Sequence, residues 1–224
     1  MAKGDVLQIV HGGPSDTTVT MSFAATPSSG DLLIFISQIY SGSDASGCAM
    51  ASATELADSG DSGETGFRRM QFFGRVCGGS ETNSYDVTAT AGIYKNIIAY
   101  RIEGVFSDLS GITASPEQFT NYVTTLAIPA SAISYSANSL AIVGCDVDSA
   151  TVSFSGFGTA EQEENLFTAT TTVTGSGTLQ TTATFAAEVG AVSGAMILIE
   201  TGAGGGGSTQ PPRSMQQYRL RRAG

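Results

Sequence analysis

Long hydrophobic runs are missing from this sequence. Its longest clean apolar runs, residues 32–36 and 196–199, fall far short of the roughly 20 residues that a membrane-spanning helix needs. The chain begins Met-Ala-Lys-Gly-Asp, without the apolar segment of a secretory signal. We therefore expect a protein that is made in a cytoplasm without an export signal and has no membrane partner.

Charge of either sign is scarce, and positive charge most of all. Charged residues make up 13% of the chain, about half of the usual share of a soluble domain. Ser, Thr, Asn and Gln must then supply the polar surface, which is typical of β-rich extracellular or virion proteins. A net charge of −10 and a pI near 4.4 argue against nucleic-acid binding, because phosphate contacts need clustered Lys and Arg.

Histidine occurs once, at His11, and tryptophan is absent. The segment Gly60-Asp61-Ser62-Gly63 is similar to the nucleophile segment of chymotrypsin-like serine proteases. Such an enzyme also needs a histidine that acts as the base and an acid that orients this histidine, both held close to the serine. Only His11 is available, far upstream, and turn chemistry accounts for Asp-Ser-Gly. We predict that the protein is not an enzyme.

The carboxylates form small clusters without the pattern of a dedicated site. A glycosidase needs two carboxylates across a sugar site, and a calcium loop needs alternating acidic ligands. Neither pattern is evident, so solvated loop charge is the favoured interpretation, and we predict no metal or cofactor. The Gly204–Gly207 run has no following Lys and is interpreted as a linker rather than a phosphate-binding loop. The clusters are Asp58, Asp61 and Glu64; Asp146 and Asp148; Glu161, Glu163 and Glu164.

Cysteine is also sparse. Cys48, Cys77 and Cys145 are an odd number at wide spacing, which gives neither a disulfide framework nor a zinc pattern. Buried free thiols are the favoured interpretation, and one disulfide with a spare thiol is the alternative.

What the sequence does contain is a series of short β patterns. Residues 17–23 alternate apolar and polar side chains, as a half-buried strand does, and residues 31–40 form a continuous apolar run typical of a strand covered on both faces. About ten to twelve such segments, without a helical period of useful length, predict an all-β antiparallel β-sandwich of jelly-roll type. No internal repeat is evident, and residues 1–201 are predicted to form one domain.

Two local predictions follow from turn residues. Gly175-Ser176-Gly177 lies between the Thr-rich stretches 166–173 and 179–185, which predicts a β-hairpin. Residues 41–65 are rich in Gly, Ser and Asp, which predicts an exposed loop, or a weak strand with a loop on each side.

The end of the chain differs in composition from the rest. Residues 202–212 contain a Gly/Ser run and a Pro pair, which predict a flexible tether that stiffens before residues 213–224. Four of the ten basic residues lie in that final stretch, whereas residues 1–203 hold six basic and all twenty acidic residues, a net charge of −14.

We therefore predict that residues 213–224 are a basic tail that docks on another protein. Arginine suits bidentate carboxylate pairs, and apolar and aromatic side chains anchor interfaces. A passive terminus is the alternative. The predicted partner-binding residues are Arg213, Met215, Tyr218, Arg219, Leu220, Arg221 and Arg222.

Three motifs in order resemble a known group of proteins. Ser28-Ser29-Gly30-Asp31-Leu32-Leu33-Ile34-Phe35-Ile36, then Ala99-Tyr100-Arg101-Ile102-Glu103-Gly104-Val105, then Asn138-Ser139-Leu140-Ala141-Ile142-Val143 are similar to segments of tailed-bacteriophage β-sandwich virion structural proteins. The similarity spans most of residues 17–200. A Pro-x-Gly-Trp segment that such proteins often carry is absent.

The resemblance implies a non-enzymatic virion protein. The first expectation is a capsid-surface accessory, that is, a decoration, cement or head-spike protein. The alternative is a tail or fibre module that binds a host-surface glycan or receptor. The implied partners are other virion proteins, either the major capsid protein or neck and tail proteins, together with further copies of the chain, with a trimer favoured.

Overall fold

The computed structural model describes residues 4–15, 18–41, 47–58, 67–89, 94–115, 118–120, 122–135, 138–148 and 151–201. Their regular structure consists entirely of strands, and every strand pairing is antiparallel. The predicted all-β antiparallel class is therefore confirmed. The strands are β1 Val6–Ser15, β2 Thr18–Ser22, β3 Leu32–Ser41, β4 Cys48–Met50, β5 Thr54–Asp58, β6 Phe67–Val76, β7 Ser84–Ala89, β8 Tyr94–Ile102, β9 Ile112–Ala114, β10 Gln118–Thr120, β11 Val123–Tyr135, β12 Ser139–Val147, β13 Val152–Phe154, β14 Glu161–Glu163, β15 Leu166–Val173, β16 Gly177–Val189 and β17 Val192–Glu200.

The strands form two large and two small sheets. Large sheet 1 has the order β1-β8-β3-β6-β5, and small sheet 1 has the order β2-β7-β4. Large sheet 2 has the order β10-β17-β12-β15-β14, with β9 beside β17, and small sheet 2 has the order β11-β16-β13. A large sheet ordered 1-8-3-6 facing a small sheet ordered 2-7-4 is jelly-roll connectivity, as predicted.

The jelly roll occurs twice in the described chain. Large sheet 2 and small sheet 2 have the same strand order as large sheet 1 and small sheet 1, with nine added to each strand number. Residue register agrees: Leu32 pairs with Val76 and Ile102 on its two sides, and Leu140 occupies the corresponding place between Thr172 and Ile199. We call strands β1–β8 the first half and β9–β17 the second half. No internal repeat was evident from the amino-acid sequence alone.

Three apolar layers hold the four sheets together. The first lies between small sheet 1 and large sheet 1, and the third lies between large sheet 2 and small sheet 2. The middle layer joins the two large sheets: Ile34 and Phe72 of the first half meet Ile142 and Ile197 of the second. Each large sheet is thus covered on both faces, which explains the continuous apolar run of β3 and the complete burial of β12.

Strand β2 shows the other pattern that was predicted. Its burial alternates, with Val19 and Met21 in the first apolar layer and Thr18, Thr20 and Ser22 exposed. Small sheet 1 therefore buries one face and presents a hydroxyl-rich face to solvent.

Two of the three motifs behind the phage resemblance meet in the first half, whereas the third, residues 138–143, lies at the start of β12 in the second half. Asp31, at the start of β3, accepts a hydrogen bond from Nε of Arg101 at the end of β8, at 2.8 Å. Gly30 has a φ of +88°, and a side chain there would lie 3.1 Å from the Gly104 carbonyl oxygen. These residues join the entry of β3 to the exit of β8, which is a packing role.

The predicted hairpin between the Thr-rich stretches is wrong. Strand β15 pairs with β12 and β14 in large sheet 2, whereas β16 pairs with β11 and β13 in small sheet 2. The turn at Gly175 (φ +73°) therefore connects two layers instead of two neighbouring strands. Turn residues predict a chain reversal, but they do not determine whether the next strand pairs with the previous strand or enters the facing sheet.

The exposed loop predicted at residues 41–65 is also wrong in part. Strands β4 and β5 lie within it, and Cys48, Met50 and Ala57 are buried. The predicted 202–212 tether and 213–224 tail lie outside the described residues, and the domain boundaries stay predictions.

Candidate functional site

The partner-binding residues predicted from the sequence cannot be placed. All seven, from Arg213 to Arg222, lie outside the described residues, as does the Gly60-Asp61-Ser62-Gly63 segment. The described residues nevertheless show how the body distributes its charge, and they include a polar cleft between the two large sheets that the sequence did not predict.

Every described arginine has a carboxylate partner within the body. Arg68 pairs with Asp146, Arg75 with Glu81 and Arg101 with Asp31, each at 2.8 Å. Arg69 pairs with Asp58.

Lys95, the fifth described basic residue, is fully buried. Each of the five described cations is therefore paired with a carboxylate or buried, while carboxylates such as Asp86, Asp108 and Glu188 are exposed. The described surface is acidic, which leaves Lys3 and the four tail arginines as the remaining basic residues of the chain.

The polar cleft lies at one end of the layer between the two large sheets. Along this layer the facing side chains change from apolar, at Leu32 and Leu140, to polar. Gln38 of β3 pairs with Met70 and Asn96, and Asp146 of β12 occupies the equivalent register beside Leu166 and Ser193. Both halves thus place buried polar residues at matching positions.

Residues of both halves line the cleft. It has a volume of about 410 Å³. The first half contributes amides, a cation and an aromatic ring, and the second half contributes carboxylates and one amide. The lining residues are Gln38, Tyr40, Arg68, Asn96, Asp148, Glu164 and Asn165.

Arg68 organises the floor of the cleft. Its Nη1 donates to Asp146 Oδ1 at 2.8 Å, its Nη2 lies 3.8 Å from Asp148 Oδ2, and its Cζ lies 5.2 Å from the centre of the Tyr40 ring. The guanidinium is almost fully buried, so these contacts fix its position. The Tyr40 ring is 38% exposed and keeps part of its surface open to solvent.

Asp146 is fully buried behind the cleft. Burial raises the pKa of its carboxyl from 3.8 to about 7, and the attraction of Arg68 opposes this shift without cancelling it. The Gln38 amide also lowers the pKa, yet Gln38 Nε2 and Asp146 Oδ2 make no hydrogen bond of acceptable geometry within the described structure. The carboxylate therefore lacks full compensation for its lost hydration.

His11 joins the two halves near this end of the molecule. Its Nε2 lies 3.3 Å from Glu161 Oε2, and its Nδ1 lies 3.4 Å from Glu163 Oε2. Opposite ring nitrogens face the two carboxylates, so the three side chains do not converge on one point. No group of three potential metal ligands was found within the described ranges.

We expect replacement of His11 by alanine to change the free energy of unfolding by less than about 1 kcal/mol, because the side chain is 31% exposed and exposed ion pairs contribute little. Chemical denaturation at neutral pH measures this. A loss of several kcal/mol would show that His11 holds the halves together, and would overturn its assignment as a surface contact.

The three cysteines match their predicted state. All are free and buried. Burial raises the pKa of the Cys48 and Cys77 thiols to about 11, so neither is a reactive thiolate near neutral pH.

Comparisons with known proteins add no assignment. No family model matches the chain, and neither the curated proteins nor the solved structures contain a match. Within the described part of the chain, no helix is long and apolar enough to cross a membrane.

Proposed function

We propose that this protein is a non-enzymatic bacteriophage virion structural protein, a capsid-surface accessory of the decoration, cement or head-spike kind, anchored through residues 213–224. The observation that carries the proposal is the separation of charge. The described body neutralises or buries its own cations, whereas the tail concentrates four arginines around Met215, Tyr218 and Leu220.

The fold adds weaker support. Jelly rolls are frequent in viral capsid proteins and lectins, and they host many functions, so the fold alone is an analogy. A tandem pair joined by a shared apolar layer is suited to projecting from a particle as one unit, with the virion as the proposed location.

The alternative is a tail or fibre module that binds a host-surface glycan or receptor. Its specific support is the polar cleft at the junction of the two halves. Copy number in purified particles separates the two functions, because a decoration protein follows the stoichiometry of the capsid and a fibre is present in far fewer copies.

Deleting residues 209–224 should leave a folded body that no longer joins the particle. The tail arginines pair with carboxylates of the capsid partner, and the apolar side chains fill shallow pockets. Exposed charge pairs contribute about 0–1 kcal/mol each, so anchors should matter more per residue. Occupancy of particles reconstituted with each variant measures the effect.

The control variants distinguish the contribution of the tail's positive charge to binding from that of its apolar side chains. The double change Tyr218→Ala with Leu220→Ala should reduce occupancy more than any single Arg→Ala change. A tail with its four arginines replaced by lysine keeps the charge and should retain part of the binding. If the truncated protein assembles at full occupancy, the tail is a passive terminus and the proposed anchor is wrong.

A further inference from the structure

A groove opens at the point where the described chain ends, and we call it the exit groove. It lies at the end of β11, beside β9, β12 and β17 of the second half, and has a volume of about 280 Å³. Thr201, the last described residue, donates its amide to the Asn138 carbonyl oxygen at 2.8 Å. Asn138 precedes a lining residue, so the chain leaves the body at the rim of this groove. The lining residues are Thr113, Ser134, Tyr135, Ser139, Leu198 and Glu200.

The exit groove combines an uncompensated negative charge with apolar surface. Glu200 is partly exposed, and no described cation pairs with it, because each described arginine pairs with another carboxylate and Lys95 is buried elsewhere. Leu198 and the Tyr135 ring supply the apolar surface. The ring lies over Gly177, where a side chain would come within 2.7 Å of Tyr135 Oη. A carboxylate beside apolar surface suits a ligand that has both a cation and apolar groups.

We propose that in the free protein the exit groove binds residues 213–224 of the same chain. Alternate side chains of an extended peptide point to one side, so Tyr218, Leu220 and Arg222 share a face in that conformation. This face offers two apolar groups to the apolar surface of the groove and one guanidinium to Glu200. The tail has the composition that the groove requires, and it begins only eleven residues after the groove's rim.

The length of the tether favours docking close to where the chain leaves the body. Residues 202–212 span about 18 Å on average if they behave as a Gly-rich coil. The carboxylates around the polar cleft lie towards the opposite end of β12, about seven residues and so about 23 Å away. A short tether gives its peptide an effective concentration near the millimolar range at nearby sites. A contact of only millimolar affinity therefore suffices to hold the tail in the exit groove for much of the time.

Charge supports the same occupant. Residues 1–203 carry a net charge of −14, and the tail carries four arginines and no acidic residue. The inference rests on the proposed role of the tail as a docking peptide, and it adds a resting site for that peptide. Tyr218 and Leu220, the proposed anchors on the capsid, are then covered in the free protein, and the capsid partner must displace them from the exit groove.

The test uses the absence of tryptophan from the chain. Tyr218→Trp in the full-length protein introduces a single tryptophan, whose quenching by acrylamide reports its exposure. We expect quenching about twofold weaker than in a synthetic peptide of residues 209–224 with the same change, as millimolar affinity at a millimolar effective concentration implies. Adding Glu200→Gln removes the charge and keeps the shape, so quenching should rise close to that of the peptide. Glu188→Gln is the matched control, since Glu188 is exposed near Val189, at the other end of small sheet 2, and it should leave quenching unchanged.

Three results would overturn the proposal. The first is equal quenching in the full-length Tyr218→Trp protein and in the peptide. The second is protection that survives Glu200→Gln, or that Glu188→Gln removes to the same extent, when circular dichroism shows each variant to be folded. The third is protection that appears only as the protein concentration rises, which would place the tail on a second copy of the chain. The measurement contains no particles, so a failure here leaves the proposed capsid anchor to be judged by particle occupancy alone.

Discussion

Replacing Phe72 by alanine is expected to lower the free energy of unfolding by about 3–5 kcal/mol. Phe72 lies on β6, is fully buried, and packs in the middle apolar layer between the two large sheets. Gly144 of the second half faces it closely, because a side chain on Gly144 would come within 3.0 Å of Phe72 Cζ. The two large sheets therefore pack tightly around the Phe72 ring. Removing the ring leaves a cavity that the backbone cannot readily fill.

Urea denaturation followed by circular dichroism and by tyrosine fluorescence measures this effect. Val105→Ala is the control, since Val105 is 84% exposed and its loss should cost less than about 0.5 kcal/mol. We also expect the two probes to give one coincident transition, because the middle layer couples the halves. A small loss for Phe72→Ala, or two separate transitions, would show that the halves are stable independently.

Strands covered on one face and strands covered on both faces could be told apart from the sequence, because burial determines how apolar and polar residues follow one another along a strand. Alternation at β2 and the continuous run at β3 follow from whether one or both faces of a strand are covered. The jelly-roll class followed from the number and spacing of such segments.

The repeat of the fold could not be predicted in this way. Leu32 and Leu140 occupy corresponding places in the two halves, but the residues that precede them, Asp31 and Ser139, differ. Equivalent strands need the same burial pattern and not the same residues, so a sequence comparison has little to detect. The wrong hairpin has a related cause, since Gly175 indicates a reversal without indicating which sheet the chain enters next.

The cleft was missed for a different reason. Gln38 and Asp146 are single polar residues near the ends of apolar strands, and each looks like an ordinary boundary residue when taken alone. Only the stacking of two large sheets brings residues 38 and 146 to one place. The sequence did group Asp146 with Asp148, but it favoured solvated loop charge, which is wrong for Asp146 because that carboxyl is fully buried.

Replacing Asp146 by asparagine is expected to stabilise the protein above neutral pH. Burial raises the pKa of Asp146 to about 7 in the folded protein, against about 3.9 in an unfolded chain. Between those values the folded state holds a proton that the unfolded state releases. The contribution of this group to stability is therefore fully present below about pH 4 and is lost as the pH rises through about 7, with a slope of about 1.4 kcal/mol per pH unit.

Asparagine mimics the neutral carboxyl and removes this dependence. The difference in unfolding free energy between Asp146→Asn and the wild-type protein should be small near pH 4, should grow with pH, and should level off above about pH 7 at a few kcal/mol in favour of the variant. Chemical denaturation from about pH 5 to about pH 8 measures the difference above the pI near 4.4. Taking the difference cancels the titration of the other carboxylates, which both proteins share.

Asp148→Asn is the matched control for this experiment. Its side chain also faces Arg68, at 3.8 Å, but it is 78% exposed, so it should change stability by less than about 1 kcal/mol and should keep the wild-type pH dependence. The opposite result for Asp146→Asn, a variant less stable than wild type by several kcal/mol at pH 8, would mean that Arg68 fully compensates the buried carboxylate. The ion pair would then hold the two halves together, and the cost of burying Asp146 would be smaller than the raised pKa indicates.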